Sequence, residues 1–283
     1  MKIIRQSGVL ERFVRELKAK HSTVGFVPTM GFLHAGHLSL VRRAKKENDA
    51  VVVSIFVNPL QFGRGEDYRR YQRDLKGDRA LLERAGADCL FVPDARVFYP
   101  KNFQTEVRVR HLSLPLCGRF RPTHFVGVAT GVLKLLNGVR PDTLYLGQKD
   151  YQQCRVIEQM VADLGVPVKV KRCPIVREHD GLAMSSRNVY LDAATRREAR
   201  LIYRALLKAK ALVRAGERSA RRVEKVMRAA LRTAKGARVD YAELVDAQTL
   251  LPVVKLKKNA SILAAAAVGF GSTRLIDNLL IRV

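Results

Sequence analysis

The sequence predicts an α/β protein in two parts, a parallel sheet with helices on both faces and then a smaller C-terminal α+β domain. Three observations carry this. The first two-thirds of the chain alternate short apolar, β-rich runs with amphipathic helical stretches, the pattern of βαβ units. A polar stretch without periodicity, EHDGLAMSSRN at 178–188, interrupts that alternation, and the chain beyond it runs helices first and strands second. A boundary near residue 180 gives expected domains of 1–180 and 181–283, a sensible division for a 283-residue chain.

In chain order, residues 23–27 form the first expected strand and 36–48 the helix after it. Residues 50–57, AVVVSIFV, read as a strand buried on both faces. A helix at 71–85, a strand at 88–92, a helix at 124–139, a strand at 143–146, a helix at 151–164 and a strand at 166–171 complete the series, a Rossmann-like arrangement. Beyond it, 193–215 and 219–234 read as basic helices, and 238–245, 260–270 and 274–282 as strands. The opening segment MKIIRQSGVLERFVREL breaks its apolar residues with charges every few positions, so it lacks the core of a signal peptide. The longest apolar run, 262–270, is too short to span a bilayer. The expectation is a cytoplasmic protein with no membrane partner.

Charge is the unusual property. There are 52 Lys plus Arg against 26 Asp plus Glu, a net charge of +26, which favours a partner bearing phosphates or carboxylates. Nucleic acid and an anionic metabolite both satisfy that requirement. Arg196, Arg197, Arg200 and Arg204 lie along helical sequence rather than beside aromatics, and a solvated helix face accounts for them. The four cysteines, at 89, 117, 154 and 173, form neither a CxxC pair nor a short Cys/His ligand spacing, and read as reduced, mostly buried thiols.

The segment VPTMGFLHAGHL, at 27–38, comes directly after the first expected strand and opens the first long helix. Ligands of open α/β sheets sit at the carboxyl ends of the strands, so a glycine-bearing turn there suits phosphates. Gly31 and Gly36 permit close backbone approach, and a helix starting near Gly36 aims free N–H groups and its positive dipole end at an anion. His34 and His37, three apart, fall on one side of the first turn and can donate to phosphate oxygens. A lone histidine at a helix start is more often structural, and a pair can bind metal; the strand-to-helix context argues for phosphate.

HxGH on such a turn resembles the signature of an adenylyl-transferring superfamily that includes class I aminoacyl-tRNA synthetases and the cytidylyl and adenylyl transferases. Preceded by PTMG, it resembles the pantoate–β-alanine ligase family, and further blocks of that family come after it in order. SIFVNPLQFGRGEDY at 54–68 is similar to its second block. YQRDLKGD at 71–78 resembles YPRTLxxD, with Gln72 for Pro, Asp74 for Thr, and Gly77 where some members carry a second acid. The run at 121–153 is almost wholly family-like, with Gln148 where many members have Glu, and PIVREHDGLAMSSRN at 174–188 resembles the mobile second ATP-binding segment. The resemblance is dense from about residue 25 to 191 and thin beyond.

The resemblance implies two steps. Pantoate attacks the α-phosphate of ATP to give pantoyl adenylate and pyrophosphate; β-alanine then attacks the acyl carbon to give pantothenate and AMP. It implies catalytic roles for His37, His34, Lys149 and Arg187. ATP contacts are expected from those residues and from Met30, Gly31, Gly36, Gly147, Gln148, Asp150, Val176, Met184, Ser185 and Ser186. Gln61, Gln153 and Asn58 are expected to bind pantoate and β-alanine, and Asp78 to hold Mg2+. A homodimer is expected from the family alone. Two other classes stay open: a nucleotidyl transferase acting on a different small acid or phosphate, and a tRNA-binding protein. Against the second stand the absence of Trp, an aromatic content of 7% and no expected anticodon-binding extension, so no specific nucleic-acid partner is expected.

Overall fold

The computed structural model describes residues 1–283 and divides them into two compact units. The first comprises Met1–Ser113, Arg121–Gln148 and Gln153–Pro174; the second comprises Leu114–Phe120, Lys149–Gln152 and Ile175–Val283.

The first unit is built on six parallel strands: β1 (Lys2–Ile4), β2 (Val24–Thr29), β3 (Ala50–Ile55), β4 (Cys89–Phe91), β5 (Thr143–Gly147) and β6 (Lys169–Cys173), in the order β1-β4-β3-β2-β5-β6. Its helices begin with α1 (Ser7–Ala19), α2 (Ala35–Glu47) and α3 (Leu75–Arg84), and α4 (Ala95–Phe98) is a single turn. The four-residue α5 (Cys117–Phe120) falls in the second unit, α6 (His124–Val139) in the first, and α7 (Tyr151–Asp163) begins among residues of the second and continues among those of the first. Strand side chains alternate between faces. Val27, Val51, Val53 and Leu90 form one core with Leu38, Val41 and Ala44 of α2 and Leu82 of α3. The alternate residues Val24, Phe26, Val52 and Cys89 are equally buried, so both faces of the sheet are covered.

Three departures from the sequence expectation have local causes. The edge strand β1 and helix α1 lie outside the expected elements, since three residues carry no period and the charges of α1 mask the stripe formed by Leu10 and Val14. Helix α3 starts later than residue 71, where the Asp74 side chain accepts the Gly77 N–H at 2.9 Å and caps it. Strand β6 is shifted toward its C-terminal end, because Pro167 has no N–H to give a ladder and Val168 N–H turns back to Val166 O at 2.7 Å.

In the second unit, α8 (Ala193–Ala199), α9 (Leu201–Arg214) and α10 (Ala220–Arg232) precede an antiparallel sheet of β7 (Ala237–Asp246), β8 (Ser261–Phe270) and β9 (Thr273–Arg282), ordered β7-β8-β9. The single basic helix expected over 193–215 is thus two, meeting at Arg200. Ala264, Ala266 and Val268 of β8 share a core with Ile202, Leu206, Ala209 and Val213 of α9 and Val223, Met227 and Leu231 of α10. The small side chains of β8 allow close helix–sheet packing, while Arg221, Arg222 and Lys225 of α10 face outward on a strongly amphipathic helix. All four cysteines are buried and none is in a disulfide, and no helix is long and apolar enough to cross a membrane.

Candidate active site

β2 lies at the point where strand order reverses, with β3 leading to one edge of the sheet and β5 to the other. The carboxyl end of such a strand is where open α/β sheets bind ligands. β5 pairs with β2 only at Gly25 and Phe26, so beyond Phe26 the strand has β3 alone as neighbour. Pro28 stands in that stretch, where a missing N–H costs one ladder bond fewer. Thr29 then starts the turn: its hydroxyl donates to Ser54 O at 2.7 Å and accepts the Gly31 N–H at 3.2 Å.

Gly31 has φ +82, and a Cβ there would lie 2.9 Å from Ile55 Cγ2 and 3.0 Å from Asp78 Oδ2, so the position requires glycine. Phe32 also takes positive φ, +52, a conformation that needs support in a bulky residue. Asp78 of α3 supplies it. Its carboxylate, only 3% exposed, accepts the N–H of Phe32 at 2.8 Å and of Leu33 at 2.7 Å. Burial holds this carboxyl above the usual carboxylate range, against the opposing pull of those two bonds.

His34 is the N-cap of α2. Its Nδ1 accepts the Gly36 N–H at 3.2 Å, while the Nδ1 of His37 accepts the N–H of His34 itself at 3.4 Å, a reciprocal capping box made of two imidazoles. The rings lie 4.0 Å apart between centroids. A backbone N–H can only donate, so in both rings Nδ1 is an acceptor and the neutral tautomer carries its proton on Nε2. The turn therefore holds two N–H donors at the end of a strand, beside a helix N-terminus.

Gln61 and Asn58 sit on a 3-10 turn, Pro59–Gln61, just past β3. The Gln61 amide nitrogen lies 2.7 Å from Met30 Sδ, which brings two expected ligand contacts together across the strand ends. Asn58, expected among the substrate contacts, is 5% exposed, and its amide serves the scaffold: Oδ1 accepts from Leu60 N–H and Tyr99 Oη, and Nδ2 donates to Gly127 O at 2.9 Å. Helix α6 meets this turn through Gly127, where a Cβ would stand 2.1 Å from Leu60 O. Arg121 and His124, which have no place among the site residues expected from sequence, hold the turn from the other side. Arg121 donates to Gln61 O at 3.1 Å and pairs with Glu66, and His124 Nδ1 lies 2.9 Å from the same carbonyl. Burial alone would raise the Glu66 carboxyl; the Arg121 guanidinium outweighs it and leaves it lowered. Gln153 is half-buried on α7, Gly147 ends β5 opposite Cys173, and Gln148 comes next, also half-buried.

The second unit holds the other expected ATP contacts. Lys149 is 22% exposed and lies 3.7 Å from Asp150, and its own carbonyl accepts from Asn278 Nδ2 at 2.8 Å. The unpatterned segment 178–188 is braced rather than irregular. Arg177 and Ala183 form an antiparallel bridge, Met184 N–H donates to Val176 O at 3.0 Å, and Gly181 turns the chain at φ +92. Asn188 donates to Glu178 and to Ala183 O, and Arg196 pairs with Glu178 and Asp180. Ser185 then caps a 3-10 turn at Ser186–Tyr190, its oxygen accepting the Arg187 N–H at 3.3 Å. None of this bracing has a local sequence signal beyond the Asp180-Gly181 turn.

The fold is that of an open α/β enzyme with two histidines on the turn after its switch-point strand, where such sheets bind ligands. The chain matches the family described as Pantoate-beta-alanine ligase over residues 2–280. It is 51% identical over 281 residues to the pantothenate synthetase of Thermotoga neapolitana, covering 99% of this chain and 100% of that protein. The crystal structure of pantothenate synthetase from Thermus thermophilus superposes with a TM-score of 0.94 at 47% identity, covering 100% of both chains. That of the pantoate–β-alanine ligase from Francisella tularensis, complexed with β,γ-ATP and β-alanine, gives 0.81 at 36% identity, covering 99% of this chain and 97% of that one. The chain belongs to the pantoate–β-alanine ligase family, the AMP-forming ligases that join those two acids in an amide bond.

Proposed function

We propose that this protein condenses (R)-pantoate with β-alanine, consuming ATP and releasing AMP and pyrophosphate by way of pantoyl adenylate. The observation that carries this reading is the histidine turn, in which Nδ1 of each ring accepts a backbone N–H so that the neutral tautomer keeps its proton on Nε2, in a chain matched by the family from residue 2 to 280. The Francisella relative solved with β,γ-ATP and β-alanine supports ATP as the nucleotide and β-alanine as the amine.

In the first step a pantoate carboxylate oxygen bonds to the α-phosphorus, the bond to the β-phosphate oxygen breaks, and pyrophosphate leaves with its electron pair. Two anions must be brought together, so the protein's task is positioning and charge neutralisation. His37, with His34 beside it, donates from Nε2 to the phosphates. Lys149 and Arg187 meet charge developing toward the leaving group, and Ser185 and Ser186 add hydroxyl donors. Met30, Gly31, Gly36, Gly147, Gln148, Asp150, Val176 and Met184 complete the ATP contacts. Gln61 and Gln153 hold the hydroxyls and carboxylate of pantoate, and Asn58 acts here by fixing the turn that carries Gln61. In the second step the β-alanine nitrogen attacks the acyl carbon, AMP leaves, and the nitrogen gives up its proton. The loop at 177–188 and the C-terminal domain act as a lid that keeps water from the mixed anhydride.

Mg2+ enters this scheme with ATP. Each oxygen of the Asp78 carboxylate accepts a backbone N–H group, and we assign that side chain to shaping the turn rather than to holding the ion. Magnesium bound to a nucleotide is held largely by phosphates and water. We further assign the enzyme to the cytoplasm as a homodimer, which sedimentation equilibrium tests directly. AMP formation that depends on both pantoate and β-alanine tests the reaction; release of AMP with a different acid or a phosphorylated acceptor, and not with pantoate, would reject it.

A further inference from the structure

Two segments assigned above to ATP, the Lys149–Asp150 turn and the root of the 177–188 loop, hang from adjacent residues of one strand. In β9, Asp277 stands opposite Ala266 and Asn278 opposite Ala265. Ala266 belongs to the core that β8 shares with α9 and α10, so Asp277 faces the helices, and Asn278, one residue on, faces the other side of the sheet. On that side Asn278 Nδ2 donates to the carbonyl of Lys149 at 2.8 Å.

On the helix side Asp277, 5% exposed, accepts from the Arg177 guanidinium at 2.6 and 3.0 Å. That guanidinium lies 3.6 Å from the centre of the Tyr203 ring of α9 and donates to Gly181 O at 3.1 Å, closing the hairpin bridged by Arg177 and Ala183. The two arms are joined through one peptide, because Asp277 Oδ1 also accepts the N–H of Asn278 at 2.7 Å. A buried aspartate and arginine form a fork-to-fork pair in many folds for stability alone. Here one arm ends on the backbone of the candidate phosphate-binding lysine, and the other at the base of the loop that presents Ser185, Ser186 and Arg187.

We propose that Asp277 and Asn278 are a positioning pair for adenylate formation, fixing the separation between Lys149 and the Ser185–Arg187 segment. Neither residue touches substrate. The inference rests on the reading that these two segments bind ATP. Their effect falls on the step in which charge builds toward pyrophosphate, where a misplacement of about 1 Å costs on the order of a hundredfold. Aminolysis of the finished adenylate does not require those cations at the same separation.

Asn278→Ala is the primary variant, since it releases Lys149 without stranding Arg177 as an unpaired buried charge. Pantoate-dependent ATP–pyrophosphate exchange reads the first half-reaction, and pantothenate formation from supplied pantoyl adenylate plus β-alanine reads the second. The expected result is an exchange kcat lowered about tenfold or more, with ATP KM and the second half-reaction each within about threefold of the unaltered enzyme. Added to Lys149→Ala, Asn278→Ala should cause no further loss. Arg177→Lys, which keeps the charge and loses the fork, serves as the second variant and should show the same split. Equal losses in both half-reactions, or Asn278→Ala and Lys149→Ala effects that multiply, overturn the proposal. Absence of exchange in the unaltered enzyme would overturn the ligase reading itself, a separate outcome of the same assay.

Discussion

Asp78 holds Leu33 across 45 positions of sequence: its Oδ1 accepts the Leu33 N–H at 2.7 Å, and its other oxygen accepts that of Phe32. A carboxylate on α3 thereby shapes the turn whose next residue is His34, the first of the paired histidines. In Asp78→Asn one oxygen becomes an NH2 group facing an N–H, so one of the two bonds is lost in a buried place. Urea unfolding should show destabilisation of about 1–3 kcal/mol. The Mg2+ concentration for half-maximal activity should stay unchanged, and a large increase in it would restore Asp78 as a metal ligand.

The histidine turn makes a graded prediction. Removing one charge-stabilising donor, in His37→Ala or His34→Ala, should lower adenylate formation about a hundredfold to a thousandfold with the fold intact. His37→Gln, which can return an N–H near the Nε2 position, should retain more exchange activity than His37→Ala. Equal activity of the two variants would contradict the tautomer derived from the Nδ1 bonds.

Gln61 and Gln153 are assigned to pantoate rather than to ATP. Gln61→Ala and Gln153→Ala should each raise the KM for pantoate roughly tenfold, the worth of one lost polar contact, and leave the KM for ATP nearly unchanged. Steady-state kinetics with each substrate varied in turn checks this. A rise confined to ATP would reverse the assignment.

Away from the site, Glu47 at the end of α2 bonds Lys171 at 2.7 Å, Tyr145 Oη at 2.8 Å and Arg43 at 3.0 Å. Lys171 foremost, then Tyr145 and Arg43, lower its carboxyl to about 2 from an ordinary 4.5. A depressed carboxylate pKa stabilises the fold above the unfolded value and loses that contribution as pH falls through the folded one. The unaltered protein should therefore melt above Glu47→Gln at neutral pH, with the gap closing between pH 4.5 and about 2. A gap constant over that window would remove Glu47 as its source.

Legibility in the sequence depends on how local each signal is. β3 is legible because a strand buried on both faces is an apolar run, and His34 and His37 because the turn, cap and helix start that use them are contiguous. Asp78 reads in sequence as a metal ligand by resemblance, and its bonds to the turn are not legible, since the amides it serves lie on another element. Asn58 resembles a ligand residue for the same reason: its partners Tyr99 and Gly127 are 41 and 69 positions away. The bracing of 177–188 by Asp277 of β9 depends on a pairing across 100 positions, and in sequence Asp277 is only the one acidic residue of a strand that also carries Thr273, Arg274, Asn278 and Arg282.

Formation of an acyl adenylate at the histidine turn is read by exchange of labelled pyrophosphate into ATP with pantoate present and β-alanine withheld. Exchange should occur under those conditions, be abolished by omitting pantoate and fall at least about a hundredfold in His37→Ala. Exchange that requires β-alanine, or that proceeds unchanged without His37, would exclude adenylate formation at that turn.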